Sequence, residues 1–189
     1  MTRKAGATLF IVLMLPFFLR TAGHAAAAPT LQVGDAAPAF TLHTLDGKTI
    51  SRETLKGKVA VLDFWATWCV PCRKALPELK ELRQKNAGQP LVVVSVSADE
   101  DRKSVEEFVR QNGMDWPQAW DGKGTVIGGI FGIQNLPTYV VLDANGTIAY
   151  GQRGWAPVSS ARLLDQAVTK ALATVTRSGA AAGSADKAR

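Results

Sequence analysis

The only two cysteines of this 189-residue chain stand three positions apart, in Trp68-Cys69-Val70-Pro71-Cys72. There an apolar extended run gives way to a helical one. The run before them, Val59-Ala60-Val61-Leu62-Asp63-Phe64-Trp65, is short and apolar, which predicts a strand buried on both faces. The stretch after them sets Ala75, Leu76, Leu79 and Leu82 among charged residues, at the spacing of a helix with one buried stripe. Cys69 is therefore expected at a strand-to-helix junction, at or beside the helix N-cap, with Cys72 one turn further in.

That placement has chemical consequences. Unpaired N–H groups and the positive end of the helix dipole favour a negative sulfur at the first position. Thiolate is the species that attacks disulfides, so Cys69 is the natural nucleophile. Residues three apart share a helix face, so Cys72 can attack Cys69 once a mixed disulfide has formed. Pro71 has no N–H to lose and suits the first helical turn.

Plainer uses of two cysteines are a structural disulfide, half a zinc site, or two unrelated buried thiols. A bridge across so small a loop removes little chain entropy and is a poor staple. Zinc needs about four ligands, and outside the first 27 residues the chain has no second cysteine pair and one histidine, His43. Dithiol redox chemistry is the favoured reading.

The segment Phe64-Trp65-Ala66-Thr67-Trp68-Cys69-Val70-Pro71-Cys72-Arg73 resembles the active-site motif of the thioredoxin superfamily, and within it the secreted TlpA/ResA-like thiol–disulfide oxidoreductases. Pro77, five residues past the second cysteine, matches the proline found inside the active-site helix of thioredoxins. Leu136-Pro137-Thr138 resembles the superfamily's cis-proline loop. The likeness covers residues 33–172. It implies an α/β fold with a mixed central sheet flanked by helices, here with an N-terminal β-hairpin extension and a central insertion. It also implies a protein-disulfide reductase that needs no cofactor or metal beyond the redox-active Cys69–Cys72 pair. A cis bond is expected at Pro137 on this ground, although only about one X–Pro bond in twenty is cis; the plainer alternative is a trans proline opening a strand. The backbone of Leu136 is then free to pair with an extended substrate beside Cys69. Trp68, Pro71, Leu136 and Pro137 are the candidate substrate contacts.

Asp63 interrupts the apolar strand, where an ionised carboxylate is costly unless paired. It matches the buried aspartate that thioredoxins carry six residues before the first cysteine. The resemblance makes it a candidate catalytic residue with a raised pKa that relays the proton of Cys72. The alternative is a carboxylate paired with a nearby lysine such as Lys58. Ala75 marks a departure, because many TlpA/ResA-like proteins have a glutamate three residues past the second cysteine. The resemblance implies a role in cytochrome c maturation, but this departure counts against its direct transfer and brings the site nearer to plain thioredoxin.

Residues 1–27 read as a secretory leader. Arg3 and Lys4 precede an apolar segment over residues 9–19, and Gly23, Ala25 and Ala27 offer small-x-small cleavage sites. The apolar segment is shorter than the roughly 20 residues that span a membrane, which favours cleavage over a retained anchor. No cysteine stands nearby to receive a lipid. Without Arg3, Lys4 and Arg20 the chain keeps 19 basic against 16 acidic residues, so its net charge falls from +6 to +3. That balance makes no nucleic-acid footprint. Export means an oxidising compartment in which dithiols close to disulfides, so a reductase there needs electrons from across the membrane. The resemblance implies a membrane thiol-electron transporter as donor and disulfide-bearing exported proteins as partners.

With 47% hydrophobic residues, the chain can bury one core. Alternating apolar residues around Asp46-Gly47 predict a hairpin that covers a sheet edge, and Ser51 opens a helical turn containing Leu55. Residues 91–98 predict a second strand parallel to the first. A helix is expected over residues 104–111, with Val105, Phe108 and Val109 inward and Asn112-Gly113 closing it. The acidic run Asp99-Glu100-Asp101 before it reads as a solvated helix start. Residues 114–132 read as an inserted loop with a helix across 126–131, and Trp116 and Trp120 as packing residues rather than substrate contacts. Asp143-Ala144-Asn145-Gly146 predicts a turn into a last strand over 147–151. A closing helix capped by Ser159 or Ser160 buries Leu163, Leu164, Val168 and Leu172. From about Thr176 the Ala/Gly/Ser-rich chain predicts a disordered tail over 176–189.

Rival functions use the same site differently. An oxidase of secreted proteins runs the exchange in reverse; no histidine lies between the cysteines to stabilise a thiolate as in strong oxidases, which favours a reductant. A thioredoxin-fold peroxidase needs Pro and Thr ahead of its cysteine, absent here. A copper carrier needs a histidine beside the pair, and His43 is read as ordinary surface.

Overall fold

The computed structural model describes residues 31–186, with side chains as far as Thr176. The leader expected over residues 1–27 lies outside the described residues. Among the described residues no helix is long and apolar enough to cross a membrane.

Strand β3 (Val59–Trp65) is buried at every position, as its unbroken apolar character requires. It lies at the centre of a five-stranded sheet in the order β5-β4-β3-β6-β7. On one side β4 (Leu91–Ser97) runs parallel to it, followed by the parallel β5 (Gln118–Trp120). On the other side β6 (Thr138–Leu142) is antiparallel to β3, and β7 (Ile148–Arg153) is antiparallel to β6. The parallel step from β3 to β4 is made by helix α1 (Val70–Lys85). Pro77 lies inside that helix and cannot supply the N–H that Arg73 C=O would accept.

Because side chains alternate along a strand, β3 divides its residues between two cores. Val59, Val61 and Trp65 join Ala75, Leu79 and Leu82 of α1, Val105 of α2 (Arg102–Gln111), and Leu164, Val168 and Leu172 of α3 (Ser159–Asp186). Ala60, Leu62 and Phe64 face the opposite side, where they meet Phe40, Leu42, Val126 and Phe131. Phe131 packs between Phe40 and Phe64, with ring centroids 5.3 and 5.1 Å away.

The N-terminal segment forms that second layer. Strands β1 (Thr41–His43) and β2 (Thr49–Ser51) pair as the expected hairpin around Asp46-Gly47. The segment reaches both margins of the sheet. Ala36 bridges Thr147 ahead of β7, and Gly34 N–H donates to Ile148 C=O at 2.8 Å. At the far side Thr44 bridges Ala119 of β5, and Leu45 N–H donates to Gln118 C=O at 2.7 Å. After the hairpin, Leu55 N–H bonds back to Ser51 C=O, the single helical turn anticipated there.

Several elements differ from the sequence reading. Residues 118–120, expected in a loop, form β5; three residues preceded by Pro117 are too few to show a strand period. The helix expected across 126–131 is a π-helix, Thr125–Ile130, with N–H groups of Gly129 and Phe131 reaching back five residues to Gly124 and Val126. Asp121 holds its start by accepting the N–H groups of Val126 and Ile127 at 2.9 and 2.7 Å. Helix α2 begins at Arg102, two residues early, because Asp101 caps it through Lys103 N–H and Ser104 N–H. In α3 Leu163 points outward, 41% exposed, and Ala171 takes its place in the stripe with Leu164, Val168 and Leu172. The Ser160 hydroxyl accepts the N–H of Ala156. The backbone of α3 stays helical to Asp186, past the Thr176 where a disordered tail was expected; alanine's high helix propensity carries it on without an apolar stripe. Residues 187–189 lie outside the described residues.

Candidate active site

The chain leaves β3 at Trp65 and enters α1 at Val70, and Cys69 is the N-cap between them. Its backbone is extended (φ −76°, ψ 99°), and its Sγ accepts the N–H of Cys72 at 3.2 Å. Cys69 C=O accepts the first helical bond, from Arg73 N–H at 3.1 Å. Pro71 occupies the first turn, where no intrahelical acceptor is lost. Cys69 and Cys72 are joined as a disulfide with their Cα atoms 5.3 Å apart. When the pair is reduced, the N–H groups and dipole of this helix end favour negative charge on Cys69 over Cys72.

The loop ahead of Cys69 is tied down by a residue that sequence reading placed in solvent. Asp99, 4% exposed, accepts Thr67 N–H at 2.9 Å, Thr67 Oγ1–H at 2.6 Å and Ser97 Oγ–H at 2.7 Å. The chain bends off the end of β4 at this point, so Asp99 faces inward while Asp101 caps α2. Trp120, half-buried, donates its indole N–H to Asp99 C=O at 2.7 Å.

Four candidate residues meet at one groove. Trp68 (66% exposed), Cys69, Pro71 and Leu136 line it, together with Ile127 and Ile133 from around the π-helix. Apart from Cys69 itself, no residue that lines it is ionisable. The Leu136–Pro137 bond is cis. Pro137 stands behind the groove, where its C=O accepts Gly154 N–H at 2.7 Å. Among the described residues neither the N–H nor the C=O of Leu136 has a hydrogen-bond partner. Ile127 and Ile133 were not singled out from the sequence; their only signal is that they flank an inserted segment.

Asp63 lies on the helix-covered face of β3, 4% exposed. It shares a narrow slot, with room for about one water molecule, with Cys72, Trp65 and Tyr139. The pairing considered with Lys58 does not occur. Lys58 is exposed, and five residues of strand place it roughly 17 Å away. Asp63 Oδ2 instead accepts the Ser95 hydroxyl at 2.7 Å, and Ser95 Oγ in turn accepts the Trp116 indole N–H at 2.8 Å. Burial pushes Asp63 up to about 7, against the opposing pull of the Ser95 hydrogen bond. Tyr139, opposite Asp63 on β6, is pushed upward by its burial and by the Asp63 and Glu78 carboxylates, so its phenol stays protonated.

Ser95 was legible only as a polar residue in a valine-rich strand. Trp116 is the packing residue expected of it, and a hydrogen-bond donor as well. Neither it nor Trp120 lines the groove. His43 is exposed on β1, and among the described residues no group of three or more His, Cys, Asp or Glu is gathered to hold a metal.

Comparison with known proteins places the same residues in a wider set. The Redoxin family profile matches residues 32–168. A thiol-disulfide oxidoreductase ResA from Bacillus thuringiensis (strain Al Hakam) is 40% identical over 118 residues, covering 62% of this chain and 68% of that protein. The thioredoxin-like protein YneN of Bacillus subtilis (strain 168) is 39% identical over 121 residues, 62% of this chain and 69% of its own. Among solved structures, a thiol:disulfide interchange protein of the thioredoxin family from Chlorobium tepidum TLS superposes with a TM-score of 0.63 at 29% identity. It covers 76% of this chain and 99% of that one.

Proposed function

Because this chain belongs to the Redoxin family, as a ResA-like thiol–disulfide oxidoreductase of thioredoxin fold, we propose that it is exported and reduces disulfides in other exported proteins. The observation that carries the chemistry is the N-cap position of Cys69, with the Cys72 N–H directed at its sulfur at 3.2 Å. In the reduced protein the Cys69 thiolate attacks one sulfur of a substrate cystine. A Cys69–substrate bond forms, the substrate's own S–S bond breaks, and the first substrate thiolate leaves. The extended substrate pairs with the unpartnered backbone of Leu136, while Trp68 and Pro71 line its other side.

Asp63 then takes the proton of the Cys72 thiol through the slot they share. The Cys72 thiolate attacks Cys69, the Cys69–Cys72 bond closes, and the second substrate thiolate is released. Two electrons have passed from the dithiol to the substrate, and both product thiolates take protons from solvent or from Asp63. A membrane thiol-electron transporter returns the two electrons that re-open Cys69–Cys72.

The net direction is read from the reduction potential. A value near −270 mV supports the reductase; a value near −120 mV replaces it with an oxidase built from the same residues. With Cys72→Ser, exported proteins are expected to accumulate as mixed disulfides on Cys69. Trapping none would remove the protein substrates, and a mature chain still carrying residues 1–27 would remove cleavage of the leader.

A further inference from the structure

The hydroxyl of Ser95 stands between a group that can only donate and a group that can accept. Trp116 Nε1–H donates to Ser95 Oγ at 2.8 Å, and an indole N–H has no acceptor capacity. The other hydrogen-bond neighbour of that hydroxyl is Asp63 Oδ2, at 2.7 Å. The Ser95 proton therefore has one acceptor, and Oδ2 receives it whether Asp63 is ionised or neutral. Asp63 Oδ1 has no hydrogen-bond partner among the described residues, and Asp63 and Cys72 border the same slot.

We propose that Ser95, locked by Trp116, is the positioning residue that confines the transferable proton of Asp63 to Oδ1, the oxygen left for exchange with Cys72. This rests on the reading of Asp63 as the proton acceptor for Cys72. The step balances simply: the Cys72 S–H bond breaks, an O–H bond forms at Oδ1, and the electron pair stays on sulfur to attack Cys69. Because the Ser95 hydrogen bond stabilises the carboxylate, it also holds the proton affinity of Asp63 within the range where thiols exchange. Without it the carboxyl would hold its proton more tightly and be a poorer base at neutral pH.

The other groups facing Asp63 do not supply this control. Helix α1 presents Cys72 and Arg73 to the slot, β6 presents the protonated Tyr139, and α2 presents Phe108. Glu78 lies beyond Tyr139, and α3 contributes apolar side chains to this core. Of the neighbours on β3's other flank, Ser95 is the residue in direct register with Asp63.

The test is the ¹³C titration of the Asp63 side chain in the oxidised full chain, beside the pH profile of single-turnover insulin reduction. Ser95→Ala is expected to raise both midpoints by about one pH unit. Trp116→Phe keeps an aromatic side chain but removes the indole N–H, freeing the hydroxyl to accept from a protonated Asp63, so it should shift them the same way by less. Ser95→Thr keeps the hydroxyl and should restore the original values. If Ser95→Ala proves too unstable to titrate, Trp116→Phe decides alone. An Asp63 midpoint that stays put in both variants overturns the proposal. Asp63→Asn separates the two readings: an unchanged pH profile there removes Asp63 as the acceptor, whereas a profile lost there but unmoved by Ser95→Ala removes only Ser95.

Discussion

Asp99 holds Thr67 at two atoms, accepting its backbone N–H at 2.9 Å and its hydroxyl at 2.6 Å. Thr67 stands two residues ahead of Cys69, so this grip sets the angle at which the chain enters α1. Replacing Asp99 with Ala strands the half-buried N–H and hydroxyl of Thr67 and the buried hydroxyl of Ser97. The expected cost is about 3 kcal/mol in urea unfolding, and less for Asn, which keeps one acceptor oxygen. Cys69 should also alkylate more slowly in the reduced variant as the N-cap loosens. Unaltered stability together with unaltered alkylation would show that the loop holds itself.

The reduced protein should distinguish its two thiols. Cys69 has the helix N–H groups and dipole, while Cys72 is buried one turn inside. At neutral pH, alkylation at Cys69 is expected to run at least about ten times faster than at an unstructured peptide thiol, with Cys72 slower than both. Mass mapping of the first labelled site checks this. Preferential labelling of Cys72 would reverse the assignment of nucleophile and resolving sulfur.

Asp63 predicts how stability depends on pH. In the unfolded chain it releases its proton near pH 3.8, and in the folded chain near 7. Between those values the folded state binds the extra proton, so stability falls as pH rises from about 4 to about 7 and levels off above. The full effect is about 4 kcal/mol at most. Asp63→Asn should remove this part of the slope and be more stable than the parent at pH 8. Parallel stability curves for the two proteins, from urea midpoints across pH 4 to 8, would contradict the raised proton affinity.

Gly122 is required by Trp120. A Cβ at that position falls on the Trp120 indole ring, whose N–H holds Asp99 C=O. Gly122→Ala should therefore displace the ring, shift tryptophan emission and lower stability by about 1–3 kcal/mol. An unperturbed spectrum with unchanged stability would mean that the ring has room to move aside.

Phe131 joins three parts of the fold: the N-terminal segment through Phe40, the end of the π-helix, and the central strand through Phe64. It is 1% exposed. Phe131→Ala is expected to cost about 3–5 kcal/mol. Binding of a cystine-containing peptide should weaken too, since Ile127 and Ile133 of the groove pack beside it in the same core. A loss below about 1 kcal/mol would mean that the site collapses around the missing ring.

The features legible in the sequence are those set by local chemistry. Valine-rich runs show β3 and β4, Asp46-Gly47 shows the hairpin, and the cysteine spacing after an apolar strand shows where α1 begins. What escaped depends on partners far along the chain. Asp99, Glu100 and Asp101 look alike in sequence, and only the bend at the end of β4 turns the first inward. The Trp116–Ser95–Asp63 chain joins three segments, none of which carries the signal alone. Strand β5 is too short for a period to show. The π-helix has a wider repeat than the spacing that reveals an α-helix. Lys58 looked near to Asp63 because five residues are few, but an extended strand makes them far.

Residues 34–45 come near the start of the chain, yet the groups that receive them, Ala119 and Thr147, are made much later. A polypeptide made N-terminus first must carry this apolar segment undocked, paired only within its own hairpin, until β5 and β7 have arrived. Such long-separation contacts close late and slowly, so the second core is completed only once nearly the whole chain is present. Synthesis can thus outrun folding, and the sulfur pair meets its finished groove as one of the final acts of assembly.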